Sequence, residues 1–255
     1  MSTTRLRHDT GFTLLEVLVV VAVIAVLMAI LLPSLKHARD AAKGIQCLSN
    51  LRQMAIASHS YANANEDLYP IAYYMQMTPQ LISFAWDFTT TKDWSTTPPT
   101  TTVKAGLLWQ NEGLERIQQC PSFDGGHNWV ADPFTGYNYN TSYIGHGAAE
   151  AIQTPATVTA VTRPARTALF GDGEYGGGAN KFMRAPWSNP GDAHFSGRFA
   201  GTQGYRHRGR TNVAFCDGHG QQWGELHTNT YENDREAIAP GTGFLSEDNS
   251  LYDLD

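Results

Sequence analysis

The sequence predicts an α+β chain: one long N-terminal helix, membrane-spanning in its first half and amphipathic in its second, packed on an antiparallel β-sheet head. Three observations predict it. Residues 12–32 are apolar except for Thr13 and Glu16. Residues 34–65 carry apolar side chains at three- and four-residue spacing. The remainder is polar and rich in Gly, Thr, Asn and Tyr, with turn signals between short apolar runs. A length of 255 residues accommodates one head domain behind such a helix.

The apolar segment comes first. At about 1.5 Å per residue, a helix over residues 12–32 is roughly 30 Å long, one bilayer core. Arg5, Arg7 and His8 precede it, which keeps the N-terminus cytoplasmic and sends the following chain across. A cleavable secretory signal has a core of about 7–15 residues with a small-x-small site behind it. Here Pro33-Ser34-Leu35-Lys36 occupies that place. A plain signal anchor leaves Glu16 unexplained, because a carboxylate in a membrane helix is costly and calls for a partner. Pro33 ends the uninterrupted apolar run and, inside a helix, removes one backbone bond and bends it.

Gly11-Phe12-Thr13-Leu14-Leu15-Glu16 resembles the prepilin processing motif of type IV pilins and type II secretion pseudopilins. The resemblance implies cleavage between Gly11 and Phe12 by a membrane prepilin peptidase, which also methylates the new N-terminal Phe. Glu16 becomes the fifth residue of the mature chain and, in that family, pairs with the terminal amine of a neighbouring subunit. An ammonium and a carboxylate sharing one apolar environment offset each other's desolvation. The expected organisation is a leader at 1–11, a membrane or filament-core helix at 12–33, its amphipathic continuation at 34–66 and a β-rich head at 67–255.

In the continuation, Leu35, Ala38, Ala42, Ile45, Leu48, Leu51 and Ala55 form the predicted packing stripe, weakened at Gly44. Residues 62–67 end the helix, and Tyr69-Pro70 marks its exit. The Thr/Pro-rich residues 89–102 read as a surface loop. Residues 104–119 read as a short helix leading to Cys120. Residues 167–170 read as a strand, with turns at 171–178 and 189–191. The glycines at 171–178 lack the Gly-Lys-Ser/Thr ending of a phosphate loop. Asp172, Glu174 and Asn180 are hard oxygen ligands suited to calcium, without EF-hand spacing; a plain turn is the other reading.

A formal charge of −6 excludes a general nucleic-acid footprint, and no nucleic-acid partner is expected. The basic cluster Arg206, His207, Arg208 and Arg210 either meets an anion or decorates a loop. Three cysteines allow at most one internal disulfide. In an exported head Cys47–Cys120 is the favoured pair, with three buried thiols as the alternative.

Residues 211–223 read as a hairpin, with Val213 and Phe215 on one face and Ala214 and Cys216 on the other. Asp217-Gly218 suits a two-residue type I′ turn. His207 precedes Asp217-Gly218 with residues 208–216 between. This His-x9-Asp-Gly element resembles a signature of a pilin-like group abundant in planctomycetes and their relatives. Cys47 with Asn50-Leu51-Arg52-Gln53, Cys120-Pro121-Ser122, residues 137–140 and residues 169–172 resemble the same group. From the residues themselves, Asp172, His207, Asp217 and His219 are candidates to converge on zinc. The other reading is structural: His207 hydrogen-bonds Asp217 and pins the hairpin. Neither a catalytic Ser/His/Asp order nor an HExxH motif stands out, so no enzymatic activity and no obligatory cofactor are expected.

The expected function is that of a prepilin in the inner membrane, single-pass with a periplasmic head. It would be cut after Gly11 and assembled with other pilin or pseudopilin subunits into a filament, extracellular in the case of a pilus. The rival is a membrane-tethered envelope or glycan-binding module that never polymerises.

Overall fold

The computed structural model describes residues 13–110, 115–127, 132–147, 153–176, 178–189 and 197–255. The leader and the processing pair Gly11 and Phe12 lie outside the described residues. The chain divides into two compact units, Met1–Ala41 and Ala42–Asp255.

Helix α1 runs from Leu14 to Ala64 and continues through Pro33. Its start is chemically defined. Glu16 Oε2 accepts hydrogen bonds from the Thr13 backbone N–H and hydroxyl, each at 2.9 Å. Thr13 Oγ1 accepts from Glu16 N–H at 3.3 Å. This reciprocal Thr-x-x-Glu arrangement is a capping box, which satisfies N–H groups that the first turn cannot. In the first unit, residues 13–39 are exposed throughout, so none of the described residues covers the apolar surface.

In the second unit, α1 buries Gly44, Cys47, Leu51, Met54, Ala55, Ser58 and Ala62. The spacing of three and four is as predicted, but the stripe is rotated from the predicted one. Leu35 and Ile45 are about two-thirds exposed, at 66% and 68%. The buried side selects small and sulfur-bearing residues, because the helix approaches the head closely there. A Cβ on Gly44 would lie 3.5 Å from His207 Nδ1.

The head contains two main sheets. The first is an antiparallel meander of β1 (Tyr73–Met77), β2 (Leu81–Ala85), β3 (Phe88–Asp93) and β4 (Thr100–Ala105) in chain order. This overturns the expected Thr/Pro loop at 89–102. Its threonines are β-branched and suit a pleated strand, with Thr91 opposite Thr102 and Thr89 opposite Lys104. The prolines Pro98 and Pro99 fall in the connection between β3 and β4, where no ladder N–H is lost. The short helix expected at 104–119 is also corrected. Lys104 and Ala105 finish β4, and among the described residues of 106–119 the helical turns are 3-10, at Leu107–Trp109 and Glu115–Gln118.

The second sheet holds β5 (Asn138–Asn140), β6 (Ala168–Gly171), β7 (Phe182–Met183), β9 (Thr211–Phe215) and β10 (Gly220–Trp223). Its order is β10-β9-β6-β5-β7, antiparallel except for the β5–β7 pair. A small ribbon pairs β8 (Gln203–Gly204) with β11 (Thr242–Gly243), and α2 is a short helix at Glu232–Glu236. Strand β9 is buried on both faces. Ala214 packs with Cys47, Leu51, Tyr139 and Phe170 on the α1 side. Val213 and Phe215 pack with Leu245, Leu251 and Tyr252 on the other. This is the predicted alternation. In β6 a bulge between Ala168 and Phe170 breaks the period, so Leu169 and Phe170 both join the α1-side core.

The β9–β10 hairpin is present, with a different turn. Gly218 N–H donates to Phe215 O and Phe215 N–H donates to His219 O, each at 2.9 Å. The loop is therefore three residues, Cys216, Asp217 and Gly218, and only Gly218 has positive φ, +87°. A type I′ turn needs left-handed backbone at both central residues, and Asp217 does not adopt it.

Candidate functional site

Four buried side chains converge where α1 meets the second sheet. Cys47 comes from α1 and Cys120 follows the Glu115–Gln118 turn. Asp172 leaves the end of β6, and His207 sits in the turn before β9. Each offers one ligand-type atom, and these atoms all lie within 4.8 Å of one another. Cys47, Cys120 and Asp172 are fully buried and His207 nearly so. Fold topology explains the convergence: β6 and β9 are adjacent strands, and α1 crosses the face that they present.

The contacts form a chain. Cys47 Sγ lies 2.7 Å from Cys120 Sγ. His207 Nε2 lies 3.8 Å from Cys120 Sγ and 3.1 Å from Asp172 Oδ2. The Asn212 backbone N–H donates to the same Oδ2 at 2.7 Å. Arg206 closes the cluster. Its Nε reaches Cys120 Sγ at 3.4 Å, its Nη2 reaches Asp172 Oδ1 at 3.2 Å, and its Nη1 reaches Glu174 Oε2 at 3.0 Å. Among the described residues His207 Nδ1 is buried with no hydrogen-bond partner.

The environment sorts the protons. Burial alone would raise the Cys120 thiol, but hydrogen bonds from Cys47 and His207 outweigh it and bring it down to about 5. Cys47 is pushed up, because its thiol is held as the donor to Cys120 and is desolvated. Burial would lower His207, yet its bonds to Asp172 and Cys120 prevail and raise it to about 9. Cys120 and His207 are thus shifted in opposite directions, each toward its charged form.

This arrangement redistributes the predicted residues. Cys47 and Cys120, expected as a disulfide pair, are brought into contact. Asp172 and His207, expected as metal ligands, are brought to the same place. Asp217 and His219 are not. They pair with each other at 2.6 Å on the hairpin tip, each more than one-third exposed. The expected His207–Asp217 pin is likewise corrected: the buried partner of His207 is Asp172, and α1 holds the hairpin instead, through His59 Nε2 donating to Cys216 O at 2.8 Å. The calcium candidates Asp172, Glu174 and Asn180 already have partners in the protein. A guanidinium already bridges both carboxylates, and Asn180 Oδ1 accepts from Phe182 N–H at 2.9 Å.

Sequence reasoning misses the roles of two residues and one relation between predicted pairs. Arg206 was noted only as part of a basic cluster. Thr13 was passed over, although Thr13-x-x-Glu16 carries the capping-box spacing. The union of the cysteine pair with the Asp/His pair had no local signal, since its members lie in four distant segments.

A second buried ionic cluster lies elsewhere in the head. Lys181 Nζ is 2.8 Å from Asp87 Oδ2 and 2.8 Å from Asp132 Oδ2, with all three side chains essentially inaccessible.

At the N-terminus, residues 6–32 match a family model described as the prokaryotic N-terminal methylation motif. The match covers Gly11, Phe12 and Glu16 together with the apolar half of α1, and it supports a prepilin-type precursor. No curated protein and no solved structure matches the chain.

Proposed function

We propose that this chain is a prepilin, cut after Gly11 and assembled as a structural, non-catalytic subunit of a type IV pilus-like or type II secretion pseudopilus filament. The observation that carries the reading is the methylation motif at residues 6–32, which runs into a helix whose apolar residues 13–32 are exposed among the described residues. A prepilin motif implies processing by a prepilin peptidase and assembly with other pilins in general. The helix is long and apolar enough to cross a membrane, which is consistent with membrane anchoring before assembly. In a filament the same surface would be covered by neighbouring copies instead of lipid.

The capping box adds a mechanism. Glu16 is held by Thr13 in the single chain, so its carboxylate sits at the helix start. On assembly that carboxylate would exchange local N–H and hydroxyl donors for a neighbour's N-terminal ammonium.

Two measurements test this. Mass spectrometry of the mature chain should find an N-terminus at Phe12, methylated. An N-terminus at Met1, or a cut beyond Leu32, rejects the reading. Glu16→Ala should then abolish incorporation into filaments while leaving the head folded. The rival, a tethered binding module, draws on one feature: a groove of about 520 Å³ beside the meander, lined by residues including Tyr61, Phe84 and Lys104. Ligand binding that survives Glu16→Ala, with no filament ever recovered, favours that rival.

A further inference from the structure

We propose that Cys47 Sγ, Cys120 Sγ, His207 Nε2 and a carboxylate oxygen of Asp172 form a tetrahedral zinc site that staples α1 to the strands of the head. Two sulfurs, one imidazole and one carboxylate are the donor types that zinc takes in closed structural sites. One atom from each already lies within 4.8 Å of the other three. With metal bonds of about 2.0–2.3 Å, the edges of a zinc tetrahedron are roughly 3.2–3.8 Å. The His207 Nε2 to Cys120 Sγ distance of 3.8 Å and the His207 Nε2 to Asp172 Oδ2 distance of 3.1 Å fall close to that range. The two sulfurs, at 2.7 Å, need to separate by about 1 Å, a movement of side chains alone.

Charge and surroundings agree with this assignment. Two thiolates and one carboxylate carry three negative charges, a zinc ion with Arg206 carries three positive, and Glu174 adds one negative charge on the partly exposed side of Arg206. The groups behind the ligands are arranged to orient them. Arg206 donates to Cys120 and Asp172, the Asn212 N–H donates to Asp172, and Tyr137 lies against Cys47. A disulfide alone would use only the sulfurs. Asp172 and His207 would then be left to each other, with Arg206 and the Asn212 N–H as the remaining partners of the carboxylate. Oxidation does compete for the same two sulfurs, since an exported head meets an oxidising compartment.

The test uses the full-length chain in detergent, purified with zinc present and then dialysed. Elemental analysis should find about one zinc per chain, with Cys47 and Cys120 recovered as free thiols after chelation. Cobalt substitution should give the intense visible bands and thiolate-to-metal charge transfer of a tetrahedral thiolate site, a readout that needs no variant. Asp172→Asn and His207→Ala should weaken retention of zinc, whereas His219→Ala should keep it. A Cys47–Cys120 disulfide without metal, reduced thiols without stoichiometric zinc, or metal lost on His219→Ala overturns the proposal.

Discussion

Leu51 and Ile45 separate the observed packing of α1 from the one that spacing alone suggests. Both belong to the predicted apolar stripe. In the structure Leu51 is completely inaccessible and packs in the α1-side core, while Ile45 is 68% exposed. Leu51→Ala removes the side chain's branched end from a filled interior, with a cost of about 3 kcal/mol from transfer and cavity terms together. For a unit of this size each kcal/mol shifts the melting temperature by roughly 2–4 °C, so the expected loss is roughly 6–12 °C. Ile45→Ala removes little buried surface and slightly improves helix propensity, so its effect should stay within about 0.5 kcal/mol. The assay is thermal unfolding of the detergent-solubilised chain, followed by near-ultraviolet circular dichroism. Equal losses for the two variants, or a neutral Leu51→Ala, would refute the packing described for residues 44–62.

Three further outcomes follow from the head. Lys181→Met leaves Asp87 and Asp132 buried without their shared cation and should destabilise the head by about 3–5 kcal/mol, read by urea unfolding at neutral pH. Burial raises the Asp87 carboxyl to about 6, only partly offset by Lys181, above its unfolded value of about 3.9. The folded state therefore holds that proton more tightly, and stability should fall as pH rises from about 4 to about 6; Asp87→Asn should flatten this fall in urea titrations. Gly218→Ala places a side chain on a backbone with φ of +87° in open space, so strain alone should cost about 1–2 kcal/mol in the same measurement.

Much of the fold was legible because its signals are local. The apolar run, described from residue 13 to residue 32, the three- and four-residue spacing after it, and the alternation of Val213 and Phe215 against Ala214 and Cys216 each appear in the structure as read. Local signals also misled. Thr and Pro in residues 89–102 suggested a loop by composition, but β-branched threonines facing one another across a meander outweighed two prolines confined to its turn. The stripe on α1 was misplaced by a fraction of a turn, because apolarity marked Ile45 while the head selected Gly44 and Cys47 for close approach. At the site, spacing in the chain tied His207 to Asp217. Strand pairing decided otherwise, since β6 beside β9 delivers Asp172 to His207 and leaves Asp217 at the hairpin tip. No local pattern announces a contact among residues 47, 120, 172 and 207.

The position of Cys47 has a mechanical consequence. Gly44 is the first buried residue of α1 and Cys47 follows one turn later. A pull directed along α1 therefore reaches the head first at this turn. Its neighbours belong to three other stretches of chain, which end in the adjacent strands β6 and β9 or lead into the β5 side of the sheet. A tie there would share tension among several strands at once instead of letting the helix peel away turn by turn. Resistance to rupture would then be set by one compact knot near the root of the head.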